Sequence, residues 1–364
     1  MISIAKADQA GIKPGQTGPR RPLHCAAVLT VLGALASGGC LHNFHPMEAS
    51  GITLERYEPD PAFSYPAKAD FTPLLETGLS DGHYQVQDFQ FPSTGGNGQP
   101  GDQVEVRYYQ SRSEGCHHAL IVLPIWGSFT YPSEKTIESL RKYSRGELSI
   151  VQVLGERRLI DWEAMGRATS RAELWEIVDE MAQRIRRTVI DVRRLLDWIE
   201  SRPELACGRQ ALIGYSISAI VGANVLHNEP RLEAGILVMG GGQPGLIAAN
   251  CPGRADLARQ SFMPRLDLTA EQFGDEFGRR FEVVNPSRFV GRRDPSTVLM
   301  IDARNDLCMP PESRDSLWRS LGKPDRYTIQ FGHKNSFLAM TPLAFNFIPR
   351  RIRDFLRRER LIAK

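Results

Sequence analysis

The sequence predicts an α/β protein: a mostly parallel sheet of eight strands with helices on both faces. Three observations carry that expectation. Short, continuous apolar runs recur from His118 to Phe331, as strands buried on both faces of a parallel sheet require. Segments with apolar residues three and four apart separate most of these runs, and such alternation winds into a covered parallel sheet. The chain is also long enough for the core this needs, since its 364 residues are 41% hydrophobic and 24% charged, as in ordinary globular proteins.

Residues 1–39 read as an export leader. A basic stretch ends in Arg20-Arg21, an apolar run extends from Cys25 to Ala36, and Ser37-Gly38-Gly39 precede Cys40. The apolar run is too short to span a bilayer. Residues 40–83 include Pro46, Pro61 and Pro66 without sustained periodicity, so a tether or wrapping arm with little regular structure is expected. The main domain, 84–364, opens with a hairpin, because Tyr84–Phe91 and Gln103–Gln110 alternate in polarity around the turn Gly95-Gly96-Asn97-Gly98.

Strands are then predicted at His118–Pro124, Leu148–Leu154, Gln210–Ile213, Gly235–Met239, Thr297–Ile301 and Arg326–Phe331. A helix should follow from Ser133. The longest helix is predicted from about Ala172 to Glu200, with Leu174, Val178, Met181, Ile185, Val189 and Leu196 on one stripe. Between Gly240 and Ser296 the alternation breaks into helical pieces, so residues from about 243 to 296 are expected to be a helical insertion after the sixth strand, roofing the site. Its Phe262, Met263, Phe273, Phe277 and Phe281 either line a pocket or, more simply, form the insertion's own small core.

The charge of the chain is +3, and Lys6, Lys13, Arg20 and Arg21 against Asp8 place all of that excess in the leader. The body from Cys40 onward is neutral. Nucleic-acid binding draws its affinity from concentrated positive charge, so nucleic acid is excluded as a partner class.

Chemistry in such a sheet belongs at the C-terminal ends of the strands. There the chain reads Gly214-Tyr215-Ser216-Ile217-Ser218, between the strand Gln210–Ile213 and an apolar helix beginning Ala219-Ile220-Val221. A serine on a tight strand-to-helix turn sits in a strained backbone, and small residues two before and two after it relieve the crowding. Gly214 and Ser218 meet that need. The plainer reading of Ser216 is a helix cap. A literal G-x-S-x-G occurs at Gly78–Gly82 around Ser80, but no apolar strand precedes it and no helix follows.

A serine hydroxyl needs a base and an orienting acid to act as a nucleophile near neutral pH. Of the 8 histidines, only His333 follows an apolar strand late in the chain, directly after a glycine. The candidate acids follow the end of the strand Thr297–Ile301: Asp306, in the loop before Pro310-Pro311, is favoured over Asp302, which abuts the strand.

These residues, from about Tyr84 to Phe355, resemble the α/β-hydrolase superfamily, with the texture of the dienelactone hydrolase and acyl-peptidase branch. The resemblance implies a Ser216, Asp306, His333 triad acting through an acyl-enzyme on an ester-like bond of a small-molecule acyl substrate. It also implies oxyanion donors at the backbone N–H of Ile217 and of Trp126, where many members carry His-Gly and this chain has Leu123-Pro124-Ile125. No H-E-x-x-H, Cys-x-x-Cys or P-loop occurs, so no metal and no cofactor are expected. Gly240-Gly241-Gly242 lacks the lysine of a phosphate loop and reads as close packing. The reading from a different class is a non-catalytic protein of the same fold that binds a ligand or partner at the cell envelope.

The end of the leader resembles the lipobox of bacterial lipoproteins, which implies lipidation of Cys40, a membrane anchor and a periplasm-facing location. Cys116, Cys207, Cys251 and Cys308 remain, and four cysteines allow three pairings or four buried thiols. The resemblance places the strands after Cys116 and Cys207 side by side, which favours that bridge. A second, between Cys251 and Cys308, would pin the insertion beside the acid loop.

Overall fold

The computed structural model describes residues 42–48, 57–65, 71–76, 81–94, 103–126, 129–155 and 158–363. The leader, Cys40 and Ser80 lie outside these residues. The strands are β1 (His42–His45), β2 (Thr72–Glu76), β3 (Tyr84–Pro92), β4 (Gln103–Ser111), β5 (His118–Val122), β6 (Leu148–Leu154), β7 (Gln210–Tyr215), β8 (Ala234–Val238), β9 (Val298–Ala303) and β10 (Asp325–Ile329). They form one sheet in the order β1-β10-β9-β8-β7-β5-β6-β4-β3-β2. The run from β6 to β10 is parallel, and β1, β2, β3 and β4 pair antiparallel with their neighbours.

The helices are α1 (Tyr131–Ser144), α2 (Trp162–Arg167), α3 (Arg171–Ser201), α4 (Pro203–Ala206), α5 (Ile217–Asn228), α6 (Pro244–Asn250), α7 (Arg254–Leu266), α8 (Ala270–Arg280), α9 (Pro311–Ser320) and α10 (Phe347–Arg358). Successive strand residues point to opposite faces. Ile121, Leu212, Leu237 and Met300 therefore pack in one core with α3, α5 and α8. Leu120, Ile213, Ile236 and Ile301 join a second core with α1 and α10. Burial on both sides is why these strands read as unbroken apolar runs.

The sheet differs from the expected eight strands in having ten. Both additions, β1 and β2, come from the arm where little regular structure was expected, and they close opposite edges of the sheet. Edge strands pair on one side only and need no apolar run, so His42-Asn43-Phe44-His45 and Thr72–Glu76, which contains Pro73, carry no strong strand signal. Between them the arm is held against the body. Phe63 is fully buried beside α3 and Phe289. Asp60 caps the short turn at Pro61–Phe63 and pairs with Arg288. Burial pushes the nearby Glu229 carboxyl up, but hydrogen bonds and charge from Arg231, aided by Arg193, outweigh it and hold Glu229 below its ordinary value.

The last turn of α5 carries His227, which is fully buried and has no hydrogen-bond partner on either ring nitrogen among the described residues. Burial, reinforced by Arg293 and Arg292, pushes its pKa down from 6.5 to about 3. Between those values the unfolded chain binds a proton that the folded chain refuses, so this residue's contribution to stability is complete above pH 6.5 and is lost as pH falls toward 3. His227→Leu should flatten the acid limb of the stability profile over that window, read as urea midpoints at mildly acidic and neutral pH.

Candidate active site

Between β7 and α5 the chain turns at Ser216, whose φ of 54° and ψ of −119° lie in a region that L-residues seldom occupy. The turn is held from several sides. The Ser216 N–H donates to the Val238 carbonyl at 2.8 Å, and the Ala219 N–H donates to the Ser216 carbonyl at 2.9 Å. A Cβ on Gly214 would stand 2.2 Å from the Ser218 carbonyl oxygen, so only glycine fits there. Ser218, where the motif usually has a second glycine, is fully buried. Its Oγ accepts from the Tyr215 N–H at 2.6 Å and lies 2.9 Å from the Tyr215 carbonyl, to which it donates. The hydroxyl thus staples the turn that a glycine would only permit.

The three residues singled out in the sequence meet here. Ser216 Oγ lies 2.8 Å from His333 Nε2, and His333 Nδ1 lies 2.6 Å from Asp306 Oδ2. Asp306 is itself fixed, since its Oδ1 accepts from the N–H groups of Cys308 and Met309 at 2.9 Å each. A ring proton on Nδ1, donated to Asp306, leaves Nε2 free to accept from the serine hydroxyl. The loops carrying the acid and the base are tied together as well: the Arg304 N–H donates to Ile329 at 2.8 Å and the Asn305 N–H to Phe331 at 3.0 Å.

Asp302 has a different place. It lies inside β9, fully buried, and pairs with Arg326 rather than with His333. Burial pushes its carboxyl above the ordinary value, more than the Arg326 and Arg314 guanidinium groups pull it down.

Beside the serine, Ile217 is the first residue of α5, where no helical turn receives its N–H. Its side chain forms one wall of a half-open apolar cleft, completed by Trp162, Ile220, Ile247, Phe277 and Phe281 among others. Phe277 stacks on Phe281, with ring centroids 4.1 Å apart, and faces Trp162. Phe277 and Phe281 therefore both pack the core and line the cleft, whereas Phe262 and Phe273 are buried in the core and Met263 rests against it. Trp162 and Ile220 went unnoticed in the sequence. Ile220 stands one helical turn after Ser216, a spacing that would have revealed it; Trp162 gives no local signal.

The Trp126 ring packs over Gly155, where a Cβ would meet it at 2.7 Å, and its neighbours Gly127 and Ser128 lie outside the described residues. The three glycines after β8 are sites of close approach: a Cβ on Gly241 would lie 2.3 Å from Ser313 Oγ, and one on Gly242 1.6 Å from Ser287 Oγ. Cys116 and Cys207 are bridged across the adjacent strands β5 and β7, with Cα atoms 5.9 Å apart. Cys251, at the end of α6, is bridged to Cys308 in the acid loop. Among the described residues no cluster of three or more metal-ligating side chains occurs.

The arrangement of sheet, turn and acid and base loops is the α/β-hydrolase fold. An acetyl xylan esterase from Thermoanaerobacterium sp. JW/SL YS485 superposes with a TM-score of 0.56 at 16% identity, covering 78% of this chain and 88% of that one. A second, from Paenibacillus sp. R4, does so with a TM-score of 0.55 at 15% identity over 80% and 90%. No family model matches the chain. Over 70 residues it is 30% identical to the uncharacterized protein YdjC of Bacillus subtilis (strain 168), which covers 19% of this chain; the chain thus spans about 60% of the curated relative it matches.

The two aspartates should separate in experiment. Asp302→Ala strips the buried Arg326 of its innermost partner, leaving Asp315 as its ion-pair partner among the described residues. It should destabilise the protein by about 3–5 kcal/mol in urea unfolding while leaving the Ser216–His333 contact in place.

Proposed function

We propose that the protein is a serine hydrolase, carboxylesterase-like, that cleaves an ester-like acyl bond. The observation that carries this reading is the hydrogen-bonded relay from Ser216 through His333 to Asp306 on a strained strand-to-helix turn. The esterase activity of structural neighbours supports ester substrates as the class. In the reaction, His333 Nε2 takes the proton of Ser216 as Oγ attacks the carbonyl carbon. The N–H groups of Ile217 and Trp126 receive the oxyanion, and Asp306 stabilises the imidazolium. Collapse expels the alcohol, which takes its proton from His333. Water, deprotonated by the same histidine, then cleaves the acyl-enzyme to release the acid and regenerate Ser216. The apolar cleft beside Ile217 receives the hydrocarbon part of the substrate.

Export is part of the same reading. Residues 1–39 direct the chain out of the cytoplasm, and Cys40 is lipidated and anchors the protein in the bacterial envelope, facing the periplasm. The paired cysteines support an oxidising compartment.

Labelling by a fluorophosphonate, followed by an ester panel, tests the chemistry. Ser216→Ala should abolish labelling and lower kcat by about a million-fold, and Asp306→Ala by about ten-thousand-fold, whereas Asp302→Ala should retain labelling. Undiminished turnover by Ser216→Ala overturns the assignment. Mass spectrometry of the mature N-terminus tests the anchor: an acylated Cys40 is expected, and a mature chain starting at an unmodified residue other than Cys40 rejects it.

A further inference from the structure

The catalytic edge of the sheet carries an uneven share of exposed apolar surface. Of the 11 exposed large hydrophobic side chains among the described residues, Phe129, Tyr131, Leu307, Leu338, Leu343 and Phe345 all lie on segments that leave the C-terminal ends of β5, β9 and β10. Four of them flank the acid and the base in sequence. Leu307 follows Asp306 directly, and Leu338, Leu343 and Phe345 lie between His333 and α10, exposed by 50%, 85% and 57%. Phe129 closes on the same segment, its ring 5.4 Å from that of Phe337. Scattered apolar side chains on a surface mean little, but a cluster around a site marks an interaction surface.

Two further observations say what covers it. In the antiparallel pairing of β1 with β10, His42 stands opposite Ile329, at the end of β10 that leads to His333. The chain therefore joins the sheet at the catalytic edge, and Cys40 is only two residues before His42. The charge at this edge is mixed but leans positive: Arg304, Lys334 and Arg350 are exposed and outside the ion pairs seen among the described residues, against exposed Glu134 and Glu312. Apolar side chains interspersed with cations suit a phospholipid surface, with acyl chains below and phosphates above.

We infer that the catalytic edge docks on a phospholipid bilayer and that the enzyme draws its substrate, an acyl ester, from that bilayer. The inference rests on the serine hydrolase reading for its chemistry and on the surface alone for its docking. Seated this way, the strand ends that carry Ser216, Asp306 and His333 face the lipid that supplies the ester.

The test compares the full chain carrying Cys40→Ser with the same chain carrying also Leu338→Ser, Leu343→Ser and Phe345→Ser, so that no acyl anchor contributes to either. Flotation with vesicles of phosphatidylethanolamine and phosphatidylglycerol should show binding of the first and a loss of at least about tenfold in the second. Turnover of a diacylglycerol dispersed in those vesicles should fall in parallel, while kcat/KM for p-nitrophenyl acetate in solution stays within about twofold. Equal flotation of the two proteins, or none by either, overturns the docking, and a concentration-dependent dimer lost in the triple variant would assign the patch to self-association instead. Equal turnover of the vesicle-borne ester overturns delivery from the bilayer. Absence of turnover on both esters overturns the hydrolase reading, while the flotation result still decides the docking.

Discussion

The backbone of Ser216 can be held at its positive φ only where several groups over-determine it, and much of the molecule is arranged to that end. A conformation of this kind costs about 1–3 kcal/mol. Here it is enforced by β7, which is buried throughout its length, and by α5, which is buried on nearly every side. Gly214 admits the close crossing of the turn, and Ser218 locks it by bonding both the N–H and the carbonyl of Tyr215. A surface helix could not resist such strain. A helix sunk between the sheet and the insertion can, and Asn224 strengthens the arrangement by donating from its amide to the Val284 carbonyl in the insertion.

The acid and the base reach Ser216 because β9 and β10 are parallel neighbours that end on the same edge as β7. Loops leaving parallel strands at one edge converge, which is why sites in such sheets collect there. Convergence alone leaves a loop free to shift, and the acid loop is constrained further. The Cys308 and Met309 N–H groups hold the carboxylate, and the bridge from Cys308 to Cys251 fastens the same loop to the insertion that walls the cleft. Positioning of the acid and shaping of the cleft are therefore mechanically joined.

The arm gives the molecule its edges. One segment contributes β1 at one end of the sheet and β2 at the other, with Phe63 buried between them against the helical face. Open strand edges invite pairing with other chains, and ending the sheet in a four-residue strand and in a five-residue strand that contains Pro73 blunts that hazard. The covering at the β10 end also determines where the chain leaves the body, on the edge that bears His333.

Features determined within a few residues were legible in the sequence. The strands buried on both faces read as apolar runs, the long helix as a stripe, and the turn at Ser216 as small residues two positions away on either side, because each obeys a local steric or solvation rule. Gly332-His333 after a strand was legible for the same reason. What required the tertiary structure depends on register between distant segments. Asp302 and Asp306 lie in one short stretch; the inward direction of the β9 side chain gives Asp302 to Arg326, and the loop beyond gives Asp306 to His333. Trp162 and Phe281, more than a hundred residues apart, become one wall only when the insertion folds back over the sheet. The edge strands β1 and β2 were hidden because half-paired backbone makes little demand on side chains. Local strain and burial leave marks in composition, whereas long-range pairing is decided by which surfaces meet once the chain has collapsed.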